Sequence, residues 1–152
     1  HQDQRELPDM RRRVFLGGML GAWAAAADSG DEAWAAVAAM AAGLAEDNAE
    51  AFLKPIDRRM AGYGELERNV RAMLDQAEAR SSIEALSSVG QDETRTLVLD
   101  WELHLKRKNV AHDEPRIVTR EEAVTVELRK VGKKWLVGGI EPAGFFAPPN
   151  FG

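Results

Sequence analysis

The residue pair best spaced for acid–base chemistry is Asp57 and Tyr63, with Gly62 and Gly64 on either side of the tyrosine. An aspartate there could take a proton while the phenol donates to a substrate oxygen. The competing reading is structural. Asp57 precedes Arg58-Arg59, which suits an ion pair at a helix end, and a tyrosine between glycines suits a packed turn. A further acid, Asp100, alternates with apolar residues beside Glu102 and His104. It reaches a pocket only if a bulge reverses the register of its strand. His104 reads as a surface residue paired with Glu102 or with an acid across the sheet. His112-Asp113-Glu114 has metal-ligand types, but neighbours on one loop rarely converge on one ion and no second histidine lies at i+4. No metal and no cofactor is expected. Gly62-Tyr63-Gly64 lacks the later glycine and lysine of a phosphate loop, and Gly-x-Ser-x-Gly is absent.

The large apolar side chains offer a different function. Trp101, Trp135, Phe145 and Phe146, with Tyr63, could line a cavity for a flat apolar ligand that few polar groups orient. With Trp34 they would equally serve as core.

Composition narrows the classes. The chain has 152 residues, about one domain's worth, with 45% hydrophobic and 30% charged residues. That excludes a disordered tail, a collagen-like repeat and a disulfide-stapled miniprotein. Cysteine is absent, which removes thiol chemistry, cysteine-ligated zinc and iron–sulfur clusters. The net charge of −5 gives no basic footprint for nucleic acid. Lys106-Arg107-Lys108 is a basic strand end without interleaved exposed aromatics, so it does not change that conclusion.

The first stretch reads as an address. Arg12-Arg13-Val14-Phe15-Leu16 resembles a twin-arginine export signal, with Arg11 in place of the usual serine or threonine. A weakly apolar stretch and Ala24-Ala25-Ala26 follow, an A-x-A cleavage site with cutting after Ala26 or Ala27. Val14 to Ala27 would span about 21 Å as a helix, short of a bilayer core of about 30 Å. Glycines at 17, 18 and 21 argue against an ordinary helix. Residues 1–27 are therefore expected to be an export signal and 28–152 the domain, periplasmic or secreted, with no stable membrane span.

The elements come in two blocks. Trp34, Val37, Ala41 and Leu44 recur at helical steps after an Asp28–Asp31 cap region. Ala49 to Leu53 predicts a short second helix, stopped before Pro55. Leu66, Val70, Met73 and Leu74 mark the face of a third. After Gln76 the period becomes two. Strands are predicted at 78–88, around Leu97–Lys106, at 118–130 and at 135–140, with a bulge or close approach at Gly138-Gly139. On the clearest strand Leu97, Leu99, Trp101, Leu103 and Leu105 face one way, and Asp100, Glu102 and His104 the other. Phe145-Phe146 in the tail is expected to pack back on the body. Helices followed by an antiparallel meander give an α+β domain.

Together these features resemble the nuclear transport factor 2-like superfamily, which includes SnoaL-like cyclases and ketosteroid isomerases. The resemblance covers roughly residues 31–148. It rests on Trp34–Leu44, on Asp47-Asn48-Ala49-Glu50-Ala51-Phe52 as a version of a short D-x-x-A-F step, on Asp100-Trp101, and on Lys133-Lys134-Trp135-Leu136-Val137. It implies a cone, a curved antiparallel sheet wrapped on three N-terminal helices as in cystatin-like folds, with a pocket at the open end near Asp57 and Tyr63. It also implies pairing through the sheets. Enzymes of the superfamily place acids and bases on the pocket side, whereas the inward face here is Leu97, Leu99, Trp101, Leu103 and Leu105.

Three functions follow as expectations. The favoured one is an exported, non-enzymatic domain binding a small apolar molecule or a protein partner. Another is a SnoaL- or isomerase-like enzyme using Asp57 and Tyr63, or Asp100 after a register shift. The last is a structural subunit that keeps its N-terminal helix. A homodimer through the outward sheet face is expected, because that face mixes charges (Asp100, Glu102, His104, Lys106, Glu127, Arg129).

Overall fold

A computed structural model of the chain describes residues 13–15, 29–108 and 116–151. Most of the export-signal segment and His112-Asp113-Glu114 lie outside the described residues. Three helices precede a curved antiparallel sheet, so the class is α+β. The elements are β1 (Arg13–Phe15), α1 (Ser29–Ala45), α2 (Ala49–Leu53), α3 (Tyr63–Gln76), β2 (Ala77–Gly90), β3 (Thr94–Arg107), β4 (Ile117–Val131) and β5 (Lys134–Glu141). A 3-10 turn at Ala143–Phe146 begins the tail. The sheet order follows the chain, β1-β2-β3-β4-β5. It is a meander of four long strands with the three-residue β1 added at the β2 edge.

Asp31 and Glu32 lie in the first turn of α1, where the positive end of the helix favours acids. One face of α1 is buried, including Ala33, Trp34, Val37, Met40, Ala41 and Leu44, while Ala35, Ala39 and Ala45 are exposed. Asp47 takes a left-handed φ of 59° and ends the run. Asn48 then caps α2, its Oδ1 accepting from Ala51 N at 3.0 Å. The two helices touch backbone to backbone at Gly43, where a Cβ would stand 2.4 Å from Phe52 N. Pro55 follows α2, and residues 55–57 run beside β5 as a one-residue parallel bridge, Ile56 to Val137. Gly62, at φ 83°, caps α3. Leu66, Val70, Met73 and Leu74 form the buried face of α3, the four residues the spacing predicts.

Alternation on β3 is kept throughout. Leu97, Leu99, Trp101, Leu103 and Leu105 are buried, and Asp100, Glu102 and His104 are half-buried on the opposite face. One bulge interrupts β2 between Ala85 and Ser87, and one shifts β5 at Gly138. Neither reverses the face of Asp100, which pairs in regular register with Glu84 and Ala123 although the β2 bulge begins one pair further on. Lys108 ties the end of β3 to the helices, donating to Asp47 Oδ2 at 2.8 Å and to the Leu74 carbonyl at 2.6 Å.

The core lies between the helices and the inner face of the sheet, and the tail completes it. Phe145 and Phe146 pack edge-on against each other at 5.1 Å between centroids. Trp101 meets them at 6.1 and 5.2 Å, and Phe52 meets Phe146 at 5.1 Å. Such edge-to-face pairs each contribute about 0.5–1.5 kcal/mol beyond burial. The indole of Trp101 donates to Ser81 Oγ at 3.1 Å, which satisfies its one polar atom. Arginines of β4 hold the tail down. Arg120 donates to the Phe145 carbonyl at 2.7 Å, and Arg116, just before β4, to that of Phe151 at 2.7 Å.

Candidate functional site

Asp57 is where the fold concentrates charge. Its backbone is fixed by the parallel bridge: Asp57 N donates to the Val137 carbonyl at 2.9 Å, and Val137 N to the Pro55 carbonyl at 2.8 Å. The side chain is buried, at 8% exposure, and both oxygens are engaged. Oδ1 accepts from the backbone N of Arg59 at 2.9 Å, and Oδ2 from Arg129 Nη2 at 2.8 Å. The Arg59 guanidinium stands 3.9 Å away. The Arg59 amide and then Arg129 hold the Asp57 carboxyl below its ordinary range, against the opposing effect of burial. A carboxylate stabilised in its ionised form is a weak proton acceptor.

Two clefts open beside this ion pair. One, of about 740 Å³, is lined by Asp57 and Tyr63 together with Lys54, Arg58, Glu67 and Arg71. The structure therefore brings the predicted pair to one cleft. Tyr63 is half-buried there, at the first turn of α3, and also packs on the core. Glu67 and Arg71 form an i,i+4 ion pair at 3.1 Å on the same wall. The other cleft, of about 560 Å³, is lined by Asp57, Arg59, Val89, Thr96, Glu127 and Arg129, among others. Arg129 remains 52% exposed and Arg59 88% exposed although both approach Asp57. The carboxylate thus anchors a guanidinium that lines the groove and stays half exposed. Val89, at 68% exposure, gives the same groove an apolar edge.

The other predicted residues lie elsewhere. Asp100 is on the outer sheet face, away from the helices. His104 Nε2 is 3.7 Å from Glu102 Oε2, and its Nδ1 is 3.3 Å from Thr119 Oγ1, so the expected pairing with Glu102 forms. Trp101 and Phe146 are fully buried and Phe145 is 2% exposed, each against the others. Trp135 is buried and donates from Nε1 to Glu32 Oε1 at 2.9 Å, joining β5 to the start of α1. None of these four lines either of the two clefts. Among the described residues, no group of three or more acidic or histidine side chains is arranged to hold a metal ion.

Two arginines carry roles that the sequence reading did not assign. By alternation Arg129 is one of several outward charges, yet it closes the ion pair with Asp57. Arg120 lies on the inner side of β4, opposite Leu103, where burial lowers its pKa and the nearby Glu122 partly offsets the effect. No signal in the sequence points to Arg129, because its contact with Asp57 spans 72 residues. No family model matches the chain, and no curated protein matches it.

Proposed function

We propose that this is an exported, non-enzymatic binding domain, with the cone-like architecture of the nuclear transport factor 2-like superfamily. Its ligand is a protein partner rather than a small apolar molecule. The observation that carries this reading is the anchored arginine: Arg129 is oriented by the buried Asp57 and more than half exposed to a groove that also presents Arg59 and Val89. An oriented guanidinium beside an exposed apolar residue suits a segment bearing a carboxylate next to an aliphatic side chain. The inner aromatics support the same choice. Trp101, Phe145 and Phe146 occupy one another's faces, and a flat ligand would have to displace the tail to reach them. Self-association, export and loss of the first 27 residues belong to this proposal.

An enzymatic reading has one observation in its favour, the shared cleft of Asp57 and Tyr63. The two donors on Asp57 count against it, because they reduce its basicity.

The test is site-specific photo-crosslinking in exporting cells. A crosslinker at Val89 is expected to give a discrete adduct with another protein, lost in Arg129→Glu and retained in Tyr63→Phe. An adduct that survives Arg129→Glu rejects the groove. Native mass spectrometry showing a retained small apolar molecule in the purified protein rejects the choice of ligand class.

A further inference from the structure

The β2 edge carries an inference beyond the groove. β2 is 14 residues long, and among the described residues β1 pairs with three of them, Arg13 with Glu84, Val14 with Ile83 and Phe15 with Ser82. Those three residues belong to the segment read as a removable export signal, so the inference rests on that part of the proposed function. Once the leader is gone, the stretch of β2 that β1 covers is open to pairing with another strand.

We infer that the β2 edge is the homodimer interface of the processed protein, and that the leader occupies it beforehand. The occupant is a second copy of the chain, and the reason is self-complementarity. An antiparallel two-fold pairing must place residues of the same face opposite each other. Centred on Ser82, it sets Arg80 of each copy opposite Glu84 of the other, two opposite-charge pairs on the outer face. Centred one residue earlier, it would set Glu78 against Glu84. Centred one residue later, it would run Arg80 into the bulge after Ala85. The Ser82 register pairs residues 79–85 with 85–79 and ends where that bulge begins. It also reproduces what the leader does: a basic residue, Arg13, stands opposite Glu84 now, and Arg80 of the second copy takes that position. The inner side of the seam would be Ala79, Ser81, Ile83 and Ala85, small or apolar residues that continue the core face.

The chain lacks cysteine, which makes the register directly testable. In the full chain carrying a protease site after Ala27, Ser82→Cys is oxidised before and after cutting, with the released leader removed. Ser82 lies on the two-fold axis, within disulfide reach of its own copy. Covalent dimer is expected only after cutting, and Ser87→Cys, beyond the bulge, gives none. Sedimentation equilibrium gives the second readout. Uncut chain is expected to be monomeric and cut chain dimeric. Arg80→Glu or Glu84→Arg alone weakens the dimer at least tenfold, and the two together restore it. Circular dichroism checks that each variant is folded. Cut protein that stays monomeric, equal crosslinking before cutting, or a dimer indifferent to both charge reversals overturns the interface. The mass of the protein recovered from an exporting host tests export separately: an intact N-terminus refutes processing in the cell, while the cut protein still decides the edge.

Discussion

Phe146→Ala tests whether the tail is part of the core. Phe146 is fully buried and contacts three aromatic rings at 5.1–5.2 Å. Truncating a buried phenylalanine typically costs about 3–5 kcal/mol, from lost transfer energy and the cavity left behind. Rings on three sides resist collapse, so the upper half of that range applies, about 4 kcal/mol. A domain of this size has about 5–15 kcal/mol in total. Thermal unfolding should therefore fall by roughly 8–16 °C, at about 2–4 °C per kcal/mol. The urea midpoint should drop by about 2 M for a slope near 2 kcal/mol/M. The cavity would be apolar and dry, so benzene should raise the midpoint of the variant and leave the unaltered protein unmoved. A loss below about 1 kcal/mol would mean that the tail is not packed under the helices. The sheet interior would then be open, and the choice of a protein partner over a small apolar ligand would lose its support.

Two further outcomes follow from geometry already given. Gly43→Ala places a Cβ 2.4 Å from Phe52 N, so α1 and α2 must separate; the expected loss is about 1–3 kcal/mol by chemical denaturation, against a gain for an exposed helical glycine. Asp57→Asn tests the ion pair through pH. The folded pKa of Asp57 lies below its ordinary 3.8, so its stabilisation is present above about that value and is lost as pH falls through the folded pKa. The melting-temperature gap between the two proteins should be steady at neutral pH and close below about pH 4; a gap that widens on acidification refutes the pairing.

The elements legible in the sequence were those whose periodicity reports burial on one side. The Leu66, Val70, Met73 and Leu74 face needs only the helical repeat, and the Leu97–Leu105 alternation only the pleat. Each pattern is local, so it survives without knowledge of neighbours. Strand ends were less accurate: β2 extends from Ala77 to Gly90 rather than 78–88, because pairing with β3 continues past the last apolar residue. The site was legible only as residue types. Asp57 and Tyr63 sit near one turn and share a cleft, but of the two donors that hold Asp57 ionised, the Arg59 amide is local and Arg129 is 72 residues away. No period or spacing links Asp57 to Arg129. Their meeting depends on residues 55–57 bridging to β5 at Val137 and on the shift in β5 at Gly138, both tertiary events.

The tail changes which surfaces can be functional. A curved sheet closed by helices leaves an interior that must be filled by side chains, ligand or water, since voids forfeit contacts. Here Phe145 and Phe146 fill the space over Trp101, and Arg120 fixes the Phe145 carbonyl above it. The residues with catalytic types were then left at the margins: Asp57 in an ion pair, Asp100 on the outer face, and Tyr63 at a helix start. Asp57 is buried and reaches the surface only through the arginine it holds, and Tyr63 lines the open cleft beside it. Recognition of a partner needs oriented polar groups beside apolar ones on an accessible rim, and Arg129, Arg59 and Val89 supply both kinds around one groove. Opening the interior by Phe146→Ala should therefore leave crosslinking from Val89 intact at temperatures where the variant is folded. Loss of the adduct in a folded Phe146→Ala protein would tie the groove to the interior and return the argument to an enclosed ligand.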